Sequence, residues 1–270
     1  MAWNDLLWIS GTGEPDAGPS GRPEGMLRWV SDEVDRLAPG MFRHHTVPYW
    51  KQYAAPHSHG DSRAEAERVA FDMLDKLGGA GGVGGYSMGA GAAGNIANRR
   101  DDVAFGYLLA DPLRPRGANS TGMPGQRGYV EQEKFVGYGI NGQREVGQAR
   151  WYTLPDDVIA DAYPDSLVRD FADLSEFLGF ADLGDARQWM VDVTTKILTG
   201  AWQNKPFWER MTQSPLALLE VPGVIQRTVR QGLRYPGWHC SYNSQPFLNH
   251  GRTYVQEMAR DIVNDAKARR

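Results

Sequence analysis

Nine glycines crowd into the 17 residues from Gly78 to Gly94, and no other stretch constrains this chain as much. The segments on either side read as regular structure. Asp61 to Leu77 carries Ala66, Val69, Met73 and Leu77 at helical spacing. It opens on Ser62-Arg63-Ala64-Glu65, a capping-box pattern, and Gly78 stands where a C-cap glycine belongs. Past the glycines a helix is expected to reach Arg100, followed by a buried strand from Val103 to Ala110 that stops at Asp111-Pro112. Glycines so placed suit a strand that turns sharply into a helix, where neighbouring backbones approach closely.

Three readings of the stretch compete. Gly85-Tyr86-Ser87-Met88-Gly89 matches G-x-S-x-G, the nucleophile elbow: small residues two before and two after the serine let it sit exposed on a strained strand-to-helix turn. The amide after Ser87, on Met88, then opens a helix and can face a developing oxyanion. Gly89-Ala90-Gly91-Ala92-Ala93-Gly94 is also a formal G-x-G-x-x-G, and Asp111 follows its last glycine by 17 residues, roughly where a dinucleotide site keeps its ribose-binding acid. The third reading is a tight strand–helix contact with no chemistry.

The rest of the first half alternates strands and helices. Asp5 to Ser10 reads as a buried strand, followed by a Gly/Pro-rich loop. Met26, Val30, Val34 and Leu37 give a helix stopped by Pro39-Gly40. Phe42 to Tyr49, Lys134 to Tyr138 and Gln148 to Leu154 are expected strands, with a polar loop over 114–130. This alternation implies an α/β fold, a mostly parallel sheet with helices on both faces. Residues 166–234 look helical throughout, with stripes such as Phe171-Leu174-Phe177-Leu178 and Trp189-Val193-Ile197, divided by Pro206, Pro215 and Pro222. Tyr235 to Gln245 reads as a loop and Tyr254 to Ala266 as a closing helix. With no linker evident, the expected organisation is one catalytic domain over 1–270 in which 166–234 forms a helical insertion capping the sheet.

Composition removes several functions. A net charge of −4 gives no basic surplus for nucleic acid. The longest apolar run, Val103 to Ala110, is too short to span a bilayer. The N-terminus lacks the basic n-region of a secretory signal, and the single cysteine, Cys240, fits synthesis in a reducing cytoplasm. His57 and His59 lack a Cys or acidic cluster to complete a metal site, and His44 and His45 in a strand face opposite sides, so no metal or cofactor is expected. Cys240 is a poorer nucleophile candidate than Ser87, because adjacent residues such as His239 and Cys240 rarely point at one another.

A serine hydrolase with an elbow takes its partners in the order serine, acid, histidine. Only His239 and His250 lie late in the chain. His239 occupies the expected loop before the last helix, whereas His250 stands next to that helix as a cap-region residue. The acid must come from between. Asp156, Asp157, Asp161 and Asp165 follow the strand ending at Leu154; Asp157 is the choice, with Asp156 and Asp161 as rivals.

Taken together these segments resemble the lysin B esterases of phages that infect mycobacteria and related actinobacteria, α/β-hydrolases akin to cutinases. Ile9-Ser10-Gly11-Thr12-Gly13-Glu14-Pro15 is similar to that family's first strand and G-T-G-x-P turn. Gly85-Tyr86-Ser87-Met88-Gly89-Ala90 is similar to its elbow, and Trp238-His239 with Tyr242-Asn243 to its histidine loop. Asp157-Val158-Ile159-Ala160 stands in the place of its acid and Asp111-Pro112-Leu113-Arg114 in that of a post-strand turn, with a long helical block between acid and histidine. The likeness extends over nearly the whole chain. Two departures are Ser10 where the family usually has histidine and Asp156-Asp157 where it has Gly-Asp. A separate peptidoglycan-binding module ahead of the catalytic part, which some relatives carry, is not expected here.

The resemblance implies an α/β-hydrolase with catalytic Ser87, Asp157 and His239 and an oxyanion hole from Thr12 and Met88. The implied activity is a lipolytic serine esterase that cuts mycolic acids from arabinogalactan and so aids host lysis. The enzyme would be made in the host cytoplasm and act on the envelope once lysis begins. Leu216, Leu218, Leu219, Val224 and Ile225 offer either an apolar wall for the lipid or the core of a helical cap. Another cutinase-like lipid esterase is the nearest alternative, and a nucleotide-dependent oxidoreductase built on Gly89 to Gly94 a remoter one.

Overall fold

The computed structural model describes residues 4–18, 20–54, 56–118, 135–145, 147–176, 183–199, 202–247 and 251–269. Five strands form one sheet: β1 (Asp5–Ile9), β2 (Arg43–Thr46), β3 (Gly82–Tyr86), β4 (Gly106–Leu109) and β5 (Ala149–Tyr152). Their order is β2-β1-β3-β4-β5 and every pairing is parallel, with Leu7 opposite His45 and Val83 and Gly84 opposite Tyr107. This is the parallel α/β sheet the alternation implied, in the α/β-hydrolase-like arrangement the resemblance implied. The narrower β2 is the expected Phe42–Tyr49 strand, cut to the part that β1 can pair.

Side-chain alternation assigns each strand residue to a layer. Leu6, Trp8, Tyr107, Leu109 and Tyr152 pack with α1 (Met26–Leu37) and α8 (Tyr254–Ala268) on one face. Leu7, Ile9, Val83, Leu108 and Trp151 pack with α2 (His59–Leu77) and α3 (Met88–Arg99) on the other. Both faces of the sheet are therefore dry, as a parallel sheet requires. Because the chain leaves β1 toward β2 and returns across β1 to β3, the ends of β1 and β3 form a topological switch point, where a crevice opens at the C-terminal edge.

The helical block follows β5: α4 (Leu167–Ser175), α5 (Leu183–Thr199), α6 (Lys205–Gln213), a 3-10 turn (Pro215–Glu220) and α7 (Val221–His239). Three details differ from the sequence reading. First, α2 begins one turn early. Ser58 is the N-cap and its hydroxyl accepts the Asp61 amide at 3.0 Å, so Ser62 lies inside the first turn, buried, and Ser62-Arg63-Ala64-Glu65 is no capping box.

Second, Phe135 to Tyr138 makes no strand, and Lys134 lies outside the described residues. Buried side chains take its backbone instead: Asp161 accepts the Gly137 amide at 2.8 Å, Arg114 donates to the Gly137 carbonyl at 2.9 Å and Arg169 to the Tyr138 carbonyl at 2.9 Å. Only a single bridge to Ala162 remains. Third, Tyr235 to His239 is not loop but the last turn of α7, despite Pro236. Tertiary anchors outweigh the helix breaker there: Trp238 Nε1 donates to the Pro155 carbonyl at 2.8 Å and the Tyr86 hydroxyl to the His239 carbonyl at 2.9 Å.

Candidate active site

Ser87 stands between β3 and α3 with φ 55° and ψ −124°, a conformation that costs a non-glycine residue of order 1–3 kcal/mol. The flanking glycines make that turn possible. A Cβ on Gly85 would lie 2.2 Å from the Gly89 carbonyl oxygen, and one on Gly89 would lie 2.0 Å from that of Ile9. The G-x-S-x-G spacing is thus imposed by backbone contact. The same packing removes the dinucleotide reading. Gly89, Gly91 and Gly94 lie inside α3 rather than in a loop before it, against Ile9, Pro112 and the Arg144 guanidinium. Asp111 is also engaged: Arg144 pairs with it at 2.9 Å and Trp151 Nε1 donates to it at 2.9 Å.

At the crevice Ser87 Oγ lies 3.0 Å from His239 Nε2, and His239 Nδ1 lies 3.0 Å from Asp157 Oδ2 and 3.2 Å from Oδ1. Three residues far apart in sequence therefore form one hydrogen-bonded chain. Asp157 is buried after β5. The Tyr242 hydroxyl donates to its Oδ2 at 2.5 Å and the Ile159 amide to its Oδ1 at 3.0 Å. Burial alone would raise its pKa, but the charge and hydrogen bond of His239, the Tyr242 hydroxyl and the Ile159 amide together hold it below the usual aspartate value. The carboxylate is thus ionised at neutral pH.

The imidazole is held between two rings. Tyr86 stacks on it with centroids 5.1 Å apart and Tyr235 at 5.2 Å, while Tyr242 meets it edge-on at 6.3 Å. These three tyrosines fix its plane; only Tyr86 and Tyr242 stand next to residues the sequence marked. The rival acids serve elsewhere. Asp156, at φ 67°, accepts from Arg234 at 2.5 Å, Arg230 at 3.1 Å and Gln231 at 3.1 Å, tying the loop to α7. Asp161 pairs with the fully buried Arg114 at 2.7 Å and accepts the amides of Val136, Gly137 and Asp156. His250 lies outside the described residues.

The turn after β1 faces the elbow, with Gly11 against Tyr86 and Ser87 and the Thr12 hydroxyl 3.8 Å from Met88 Sδ. Glu14, which sequence reasoning passed over, organises it. Its carboxylate accepts the Gly11 amide at 2.7 Å and the Met26 amide at 2.6 Å. The Gly13 amide is taken by the Lys51 carbonyl at 2.8 Å. Thr12 and Met88, the two residues expected to supply the oxyanion hole, both stand beside Ser87 at this crevice. Thr12, Ser87 and Met88 line a cavity of about 180 Å³ with Tyr53, His59, Asn141 and Tyr235 among its other walls.

Of the five apolar residues singled out in the helical block, Leu216, Leu219 and Ile225 are exposed and Val224 is buried; the Leu218 side chain lies outside the described set. Three of the four histidines weighed as metal ligands are engaged separately. His44 bonds Trp8 and Asp35, His45 bonds Asp5, and His57 stacks on Trp50. Among the described residues no group of three His, Cys, Asp or Glu side chains converges as for a metal. No helix among them is long and apolar enough to cross a membrane.

No protein-family model matches the chain, and no curated protein does. Solved structures do. Lysin B from Mycobacteriophage D29 aligns over 95% of this chain and 96% of its own at 15% identity, with a TM-score of 0.50. A cutinase-like protein from Cryptococcus sp. aligns over 72% of this chain and 89% of its own at 14% identity, with a TM-score of 0.35. An acetylxylan esterase aligns over 73% of this chain and 99% of its own at 13% identity, with a TM-score of 0.42. At these identities the likeness is one of fold alone, and it extends over nearly the whole length of both chains for the D29 lysin B.

Proposed function

We propose that the chain is a serine esterase whose catalytic residues are Ser87, His239 and Asp157, and that its substrate is the ester joining mycolic acids to arabinogalactan in the actinobacterial envelope. The observation that carries the reaction class is the hydrogen-bonded chain from Ser87 through His239 to Asp157, with the serine on a strained elbow. The substrate rests on the motif resemblance to lysin B, with the fold of the D29 lysin in support.

In this reading His239 Nε2 takes the Ser87 proton as Oγ attacks the ester carbonyl. The Asp157 carboxylate fixes the tautomer through Nδ1 and stabilises the imidazolium that forms. The amides of Thr12 and Met88 hold the oxyanion, each donor being worth roughly 3 kcal/mol of barrier. The imidazolium then protonates the departing sugar oxygen. Water, deprotonated by His239, attacks the acyl-enzyme and releases the fatty acid and Ser87.

The test is release of mycolic acids from lipid-extracted mycobacterial cell wall, run beside a short-chain chromogenic ester. Wild type should act on both, and Ser87→Ala should lose at least ~10³-fold on each while remaining folded. Cleavage of the chromogenic ester alone would keep the serine esterase and give the substrate to another lipid ester. Activity that survives Ser87→Ala would overturn the mechanism.

A further inference from the structure

Most of the large apolar side chains left exposed among the described residues lie in the helical block, and α7 carries a row of them. Val224, Gln231 and His239 make its buried side. Ile225, Val229 and Leu233 recur every fourth residue, which sets them in one line along the helix. That line faces away from the core, the three being 47%, 51% and 80% exposed. The 3-10 turn that feeds α7 leaves Leu216 and Leu219 exposed as well. A surface helix turns polar residues outward; an apolar row there marks a surface that meets something other than water.

Charge narrows what it meets. α7 contains Arg227, Arg230 and Arg234 and no acidic residue. Two carboxylates answer these three guanidinium groups, Asp165 pairing with Arg227 and Asp156 with the other two. The arginine side chains are each at least 38% exposed and the two aspartates at most 23%, so solvent meets positive charge beside the apolar row. A second copy of the chain suits this poorly, because α7 laid on α7 sets arginine against arginine. An anionic lipid surface suits both features. Its acyl boundary takes a convex apolar row without a matching groove, and its headgroups pair with the guanidinium groups.

We propose that the outward face of α7, with Leu216 and Leu219, docks the protein on an anionic lipid surface. Docking there brings the Ser87 cavity close to that surface: Tyr235, two residues beyond Leu233, lines the cavity, and His239 ends the same helix. The interaction needs no turnover, so it stands or falls apart from the esterase reading.

The probe is sedimentation with vesicles of phosphatidylcholine containing phosphatidylglycerol, beside vesicles of phosphatidylcholine alone, at low ionic strength. Wild type should bind the mixed vesicles at least ~10-fold more tightly than the neutral ones, and high salt should remove most of that difference. Val229→Ser/Leu233→Ser should weaken binding to the mixed vesicles by at least ~10-fold. It should melt, and cleave a soluble short-chain ester, as wild type does, because both positions are exposed and neither lines the Ser87 cavity. Leu216→Ser/Leu219→Ser gives the same reading should the first variant fail to fold. Ser87→Ala should bind as wild type does, which keeps docking and catalysis apart. Wild type that stays in the supernatant, or folded serine variants that bind as tightly as wild type, overturn the docking face and leave the esterase untouched. Equal binding to both kinds of vesicle overturns the anionic surface. A lipid-free wild-type dimer that Val229→Ser/Leu233→Ser dissolves gives the face to a second copy and overturns the proposal.

Discussion

Glu14 fixes the turn that faces Ser87 without itself lining the cavity there. By accepting the Gly11 and Met26 amides it clamps the turn after β1 to the start of α1, and Gly25, at φ +68°, has no Cβ because one would lie 2.4 Å from the carboxylate. Glu14→Gln replaces one acceptor oxygen with a donor that faces an amide. The Thr12 amide should then shift and turnover should fall by about 10²-fold, as misplacements of an ångström do. A turnover within twofold of wild type would remove the positioning role. Burial raises the Glu14 pKa against the opposing amides, so the folded chain holds this proton more tightly than the unfolded one. Its contribution to stability is therefore full below the ordinary glutamate pKa and is lost as pH rises through the folded value. Thermal melts across this window should show the wild-type advantage over Glu14→Gln shrinking with rising pH. The two neighbouring acids separate differently. Asp157→Asn should cost ~10³–10⁴ in turnover with little change in melting. Asp161→Asn leaves Arg114 buried without its charge partner and should cost stability, about 3–5 kcal/mol. Turnover and melting measured on both variants would expose the wrong assignment.

The elbow is a property of two elements in contact. Ala at Gly89 would drive a methyl into the β1 backbone, whereas Ala at Gly91 would meet side chains alone, Pro112 Cγ at 3.3 Å and Arg63 Cδ at 3.5 Å. Gly89→Ala should therefore lose several degrees of melting temperature or fail to fold. Gly91→Ala, in mid-helix, should stay near wild type because the better helix former offsets the tight contact. Equal melting of the two would mean that α3 is not held against β1 by that glycine. This contact also explains what could be read from the chain alone. Ser87 was legible because backbone collision dictates glycine at both Gly85 and Gly89, and sequence records such collisions directly. The strands were legible because both sheet faces are buried, so β1 and β4 read as continuous apolar runs. His239 is singled out by the order serine, acid, histidine, but its setting differs from the loop expected. Pro236-Gly237 signals a break, and only the bonds from Trp238 and Tyr86 keep α7 helical to its end. Phe135 to Tyr138 was misread for a related reason, because Arg114, Asp161 and Arg169 arrive from elsewhere in the chain to take its backbone. Glu14 left no periodic trace, since its partners are backbone amides.

At the scale of the molecule, the hydrogen-bonded chain is divided between two bodies of unequal burial. Ser87 and Asp157 sit on loops of the sheet, whose strands and covering helices supply nearly all of the core. His239 is carried by the last turn of α7, in a block that leaves Leu198, Leu216, Leu219 and Leu233 each at least 75% exposed. Within the block α4 is anchored firmly, Arg169 donating to the carbonyls of Tyr138, Gly139 and Ala162, whereas the last turns of α7 reach the sheet loops through Arg230, Gln231 and Arg234 to Asp156, Gln231 to the Asp161 carbonyl, Trp238 to Pro155, and Tyr86 to the His239 carbonyl. Segments with few buried apolar contacts open at lower free energy than the global unfolding. Separation of α7 from the sheet would break the Ser87–His239 bond while leaving the five strands intact. Ester hydrolysis should therefore disappear at a lower urea concentration than the protection of the β1, β3 and β4 amides against hydrogen exchange, and α7 amides should lose protection along with activity. Asp156→Asn weakens the charged link without touching the hydrogen-bonded chain, so it should move the activity midpoint down further while the strand amides keep theirs. Coincidence of all three transitions, in wild type and variant alike, would show the block and the sheet to be one cooperative unit, and the division of the site between them would then have no mechanical consequence.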